Sequence, residues 1–248
     1  MSRFFSAKRA SALVLALTSA VPAQAIVGAA TPAPALAPHA VMVLKRAAGS
    51  AGFCSGVVLA QNVILTAAHC VAGVADTRAH YRAGDGAPVL VDIAAIAAHP
   101  EFRANAVKTR ERSIDLALVR LAKPLPPSFA PASLARQTLG EGEAVTLAGF
   151  GVTRSDDPST SGALRAAALA VRAPLSRILL WAKGADGRTG ACTGDSGGPI
   201  FDAAGDLVAV TAWASGGVSG GCGALTQGAW IAPQRGWIDK TLAAWGAR

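Results

Sequence analysis

Glycine and proline punctuation constrains this chain most. The apolar segments after residue 40 are short, rich in β-branched residues, and broken by glycine or proline roughly every dozen residues. "VMVLKR" (41–46), "SGVVLA" (55–60), "NVILTA" (62–67), "SIDLALVRL" (113–121), "EAVTLAGFG" (143–151), "LRAAALAVRA" (164–173), "DLVAVTAWA" (206–214) and "GAWIA" (228–232) read as strands. Gln61 and Asn62 mark a turn between the second and third. Strand after strand without intervening helical patterns favours a sandwich or barrel over parallel α/β. The stretch "AKPLPPSFAPAS" (122–133) is a proline-rich break that separates two halves. At the C-terminus, Trp237, Ile238, Leu242 and Trp245 recur at near-helical spacing and predict a closing helix packed by one face. A chain of 248 residues, 52% of them hydrophobic, is long enough to bury a sizeable core. No long-period repeat and no calcium-binding loop is evident.

The first 25 residues follow a different logic. Arg3, Lys8 and Arg9 precede the apolar run "SALVLALTSAV", and "PAQA" ends in small residues around a cleavable bond. This is the layout of a secretory signal peptide, with an apolar run well short of the ~20 residues needed to span a bilayer. Cutting after Ala25 removes three positive charges and no acid, so the formal charge falls from +8 to +5. No basic run or aromatic-plus-basic stripe accompanies that charge, so nucleic acid is not an expected partner, nor is a membrane after signal removal. Export predicts a secreted or periplasmic protein. It also makes disulfides the expected state of Cys54, Cys70, Cys192 and Cys222, which allow three pairings. A zinc site using His69 beside Cys70 is the competing reading, but no CxxC pair supports it.

Three short motifs carry chemistry. Hydrolysing an amide through serine requires a base for the hydroxyl proton, a carboxylate to orient the base, and N–H donors for the oxyanion. "LTAAHC" (65–70) places His69 just after a strand. "SIDLALVRL" places Asp115 at the start of an apolar run. "GDSGGP" (194–199) places Ser196 among glycines, where the N–H groups of Gly194 and Ser196 can converge. His39, His80 and His99 lack such company and read as surface or structural residues.

Together, in the order His, Asp, Ser, these motifs resemble the chymotrypsin-like (trypsin-type) serine proteases. The resemblance covers nearly all of the chain after residue 25, from "IVGA" (26–29) through "HPEF" (99–102) and "AGFG" (148–151) to "GAWIAP" (228–233). It implies an all-β fold of two six-stranded antiparallel β-barrels with a C-terminal α-helix and the active site in the cleft between barrels. The divisions would be a first barrel over about 26–121, a linker over about 122–135, a second barrel over about 136–232 and a helix over about 233–246. It implies Cys54 paired with Cys70 and Cys192 with Cys222, a monomer acting on protein or peptide substrates, and no cofactor or metal. His69 and Asp115 would come from the first barrel and Ser196 from the second.

The resemblance also addresses Asp195, whose charge beside a nucleophile is otherwise unhelpful. In this family the acid before the serine turns away and meets the α-amine of an Ile-Val-Gly N-terminus. Here Ile26 follows the expected signal cut directly, so signal removal itself would free the activating amine. The residue six before the serine, Gly190, would form the floor of the specificity pocket, with Ala191 and Gly228 as walls and Thr193 at the rim. An uncharged floor predicts cleavage after an uncharged apolar residue, whereas aspartate there would recruit Arg or Lys. Residues 212–216 would pair with extended substrate as an added strand.

Three departures stand out. Ala212-Trp213-Ala214 replaces the usual Ser-Trp-Gly, which removes a hydroxyl that supports the catalytic aspartate and adds a methyl at the pocket entrance. Only four cysteines are present, as in a bacterial-style member. A catalytically weak or inactive protease-fold binding protein is therefore the alternative reading, and an esterase acting on small esters a third.

Overall fold

The computed structural model describes residues 26–47, 49–109, 111–216 and 221–247, so the expected signal peptide lies outside the described residues. Among the described residues thirteen strands form: β1 (Thr31–Pro32), β2 (Ala40–Ala47), β3 (Ser50–Ala60), β4 (Val63–Thr66), β5 (Thr77–Arg82), β6 (Pro88–Ala98), β7 (Ala117–Leu121), β8 (Ala144–Gly149), β9 (Arg165–Val171), β10 (Leu179–Lys183), β11 (Pro199–Phe201), β12 (Leu207–Ser215) and β13 (Leu225–Trp230). A one-turn helix, α1 (Ala106–Thr109), and the terminal α2 (Arg235–Ala244) complete the regular structure with several 3-10 turns.

The continuous apolar runs of β3 and β4 explain the architecture. Successive side chains on a strand face opposite ways. Val58 and Ile64 point into the interior of the first barrel. Val57, Leu59, Val63 and Leu65 point outward, yet they too are buried, against Phe201, Leu207 and Val210 of the other half. A strand apolar on both faces must be covered on both. The first barrel closes in the order β2-β3-β4-β7-β6-β5, all antiparallel. The second runs β8-β9-β10-β13-β12-β11 and closes where β11 meets β8, with β1 added beside β9. Its interior holds Leu147, Leu169, Leu180, Ile200 and Trp230.

The helix α2 docks Ile238 into the seam between the barrels, with Trp237, Leu242 and Trp245 packed around it. Full burial of Ile238 contributes roughly 1.5–3 kcal/mol, and the three partly buried side chains each bury less of their surface. Strands β1, β5, β6, β10 and β11 are not legible in the sequence. β5 alternates buried Thr77 and Ala79 with half-buried Arg78 and His80, so its polar half masks the pattern. β7 begins only at Ala117, which leaves Ser113–Leu116 as an extended loop ahead of it. Among the described residues no helix is long and apolar enough to cross a membrane.

Candidate active site

His69 sits on a single 3-10 turn, Ala68–Cys70, that follows β4. Three ties hold that turn. The disulfide Cys54–Cys70 staples it to β3, the Thr66 hydroxyl donates to the Ser55 carbonyl at 2.8 Å, and the Lys45 ammonium donates to the His69 carbonyl at 2.5 Å. Asp115 lies in the loop before β7 and accepts twice from the same residue. Its Oδ1 takes the His69 backbone N–H at 2.9 Å, and its Oδ2 lies 2.6 Å from Nδ1. A carboxylate oxygen accepts, so Nδ1 is the donor of that bond, and Nε2 lies 3.6 Å from the disulfide-bonded Cys70 Sγ, which has no proton to give.

Ser196 occupies the turn between Cys192 and β11. The Ser196 carbonyl accepts from Ser55 N–H at 2.8 Å. The Ser55 hydroxyl donates to the Gly194 carbonyl at 2.9 Å and accepts from Phe150 N–H at 3.0 Å. Buried Ser55 therefore ties the serine turn, on the second barrel, to β3 of the first. Sequence reasoning missed it, because a serine in a strand carries no motif. Gly194 has φ +95, and a Cβ there would overlap the Phe53 ring, so no other residue fits. The N–H groups of Gly194 and Ser196 make no hydrogen bond among the described residues, and neither does the Ser196 hydroxyl. Of the links between His69, Asp115 and Ser196, the His–Asp pair is made and the Ser–His bond is not. Such bonds are often long before substrate arrives.

Asp195 points away from the cleft and is fully buried. Its carboxylate accepts from Gly151 N–H at 2.8 Å and Cys192 N–H at 2.9 Å. Side chains at 149 or 151 would collide with it, which accounts for the glycines of "AGFG". Burial pushes the carboxyl up to about 7, against the pull of those two donors. No cation pairs with it among the described residues. Ile26 is wholly buried, and Val27 bridges Gly190 on the segment leading to Cys192.

The profile of the Trypsin family matches residues 26–231. The chain belongs to the trypsin family. It is 30% identical to alkaline trypsin C of Manduca sexta, over 82% of this chain and 86% of that one. It is 29% identical to trypsin alpha of Drosophila erecta, over 66% and 68% respectively. Mouse neuropsin, a serine protease expressed in the limbic system of the brain, superposes with a TM-score of 0.67 at 22% identity, over 81% of this chain and 93% of that one. This trypsin-family chain is a serine endopeptidase, and protein is its class of substrate.

The surroundings of Gly190 are tight. Gly190 and Ala191 are buried. A Cβ on Gly190 would lie 2.8 Å from Thr226 Oγ1 and 2.7 Å from the Gly223 carbonyl. The Thr226 hydroxyl also accepts from Ala191 N–H at 2.9 Å. Gly228 instead faces the second barrel's interior, toward Ile200 and Ala209. Of the two, Thr226 and not Gly228 meets Gly190. Strand β12 carries an irregularity between Thr211 and Trp213 where it pairs with β13. Thr193 is exposed, Ala212 buried, Ala214 half-buried, and Trp213 stands 48% exposed beside the cleft. The second disulfide, Cys192–Cys222, ties the serine turn to the approach of β13. The other histidines are structural. His39 and His80 place Nδ1 at 2.8 and 3.0 Å from backbone carbonyls. His99 packs on Trp237, and burial holds its pKa down.

Proposed function

We propose that this trypsin-family chain is an exported endopeptidase, released by cleavage after Ala25, in which His69 is the general base, Asp115 its orienting carboxylate and Ser196 the nucleophile. Gly194 and Ser196 N–H groups receive the oxyanion. The observation that carries the reading is the fixed His69–Asp115 pair together with a serine turn that Ser55 ties to the same barrel and whose Gly194 and Ser196 N–H groups are unbonded among the described residues. Serine attack would form an acyl-enzyme, and His69 would return its proton to the leaving amine. With Thr226 against Gly190, the residue before the scissile bond is small and uncharged. A basic side chain would be buried there without a partner, at a cost of several kcal/mol.

Activation follows from Asp195. A buried carboxylate raised to about 7 calls for a cation, and the α-amine of Ile26 supplies one once the preceding bond is cut. The backbone at Ile26 agrees. Its φ of +60 is costly for a β-branched residue, and that torsion ceases to exist when the bond to residue 25 is broken. The mature enzyme is a monomer and needs no cofactor, metal or nucleic acid. A fluorophosphonate should label Ser196 alone, with labelling abolished in Ser196→Ala and His69→Ala. Labelling that survives in Ser196→Ala would overturn the assignment. A folded, processed protein that neither labels nor cleaves would be the binding protein instead.

A further inference from the structure

A cavity of about 350 Å³ opens directly onto the His69–Asp115 pair. Ala212, Trp213, Ile178 and Leu179 give it an apolar wall, and Arg103, Glu111 and Arg112 line it as well. The Asp115 side chain is 18% exposed rather than sealed. Its two oxygens each accept one bond, both from His69. A carboxylate has about four acceptor sites, so one on each oxygen is unused among the described residues. Ala212, bordering the same cavity, offers only a methyl.

The substrate has a geometric reason to enter. β11 pairs with β12 only as far as Val210, whereas β13 pairs with β12 through Ser215. One backbone edge of Ala212–Ser215 therefore has no strand beside it among the described residues, and an extended peptide can add there. Successive side chains of that peptide face opposite ways. If the residue before the scissile bond points toward Gly190 and Thr226, the one before it points toward His69 and this cavity.

We infer that the cavity takes serine or threonine as the second residue before the scissile bond, and that this hydroxyl donates to Asp115 and holds the carboxylate, and through it the His69 ring, in place. The inference rests on the reading of His69, Asp115 and Ser196 as the catalytic groups. Threonine fits best, its methyl against the apolar wall and its hydroxyl toward the open acceptor site. An acid would meet Asp115 and Glu111, and valine would fill the space without donating. The substrate thus supplies a donor that position 212 does not.

The test uses mature protein beginning at Ile26 and four peptides that differ only at that position, as the pairs Thr/Val and Ser/Ala. Threonine should exceed its isostere valine about tenfold in kcat, with KM within about twofold, because the volume buried is the same and only the bond to Asp115 differs. In Ala212→Ser, whose own hydroxyl borders the same cavity, the valine peptide should speed up and the Thr/Val ratio fall toward one. A ratio near one in the wild type, or a tenfold ratio persisting in Ala212→Ser, overturns the inference while leaving the peptidase reading intact. Failure to cleave any of the four by protein that does not label with fluorophosphonate overturns both.

Discussion

Leaving one residue in front of Ile26 should change how stability depends on pH, and Asp195 sets the size of the change. With Ile26 still in amide linkage, the buried carboxyl titrates at about 7 instead of 3.8. That rise is worth ~4 kcal/mol at 1.36 kcal/mol per pKa unit. The folded chain then holds the Asp195 proton more tightly than the unfolded chain does. Stability must fall as pH climbs from the unfolded value of 3.8 through the folded value of about 7, and level off above it. With Ile26 as a free N-terminus, its ammonium pairs with the carboxylate and removes that loss. The amine's own pKa rises above the ~7.7–8.0 of a free chain, so its stabilisation is complete below that range and is lost only as pH passes the higher folded value. The assay is urea unfolding of both forms at pH 4 to 8, in a Ser196→Ala background that prevents self-cleavage. Apart from the α-amine that each form carries on its own first residue, every titrating group is common to both forms and cancels in the difference. The two curves should separate by ~4 kcal/mol at pH 8, and Asp195→Asn should flatten the extended form's profile. Parallel curves from pH 4 to 8 would refute the pairing and leave Asp195 without its cation.

Three further substitutions have definite expected outcomes. Gly190→Asp should lose activity on small uncharged substrates without gaining Arg or Lys cleavage, because its Cβ would already press on Thr226 Oγ1 at 2.8 Å and the Gly223 carbonyl at 2.7 Å; Thr226→Gly should instead broaden cleavage toward larger side chains, and a peptide-library profile distinguishes the two results. Ser55→Ala should cost about 1–3 kcal/mol, since it strips a hydrogen bond from both the Gly194 carbonyl and the Phe150 N–H, and kcat should fall as the Gly194 peptide loosens; an unchanged melting temperature with full activity would show that Ser55 does not brace the serine turn.

The sequence alone determined those features whose signal is local. Apolar runs of β-branched residues broken by glycine and proline marked most of the strands. The spacing of Trp237, Ile238, Leu242 and Trp245 marked the closing helix. "LTAAHC" and "GDSGGP" marked the two turns that face the cleft, because the chemistry they suggest depends on adjacent residues. The tertiary structure decided everything that depends on which backbone stands beside which. Ser55 reads as an ordinary strand residue until β3 lies against the serine turn. The glycines of "AGFG" acquire a reason only when the Asp195 carboxylate occupies the space their side chains would fill. Asp115 sits in a loop and not in the strand its apolar neighbours predicted, since β7 cannot pair with β4 before Ala117. Thr226, rather than Gly228, meets Gly190, a contact between β13 and the loop before Cys192 that neither segment announces alone. In a sheet with a two-residue side-chain repeat, register decides which side chains meet, and register is a property of two strands at once.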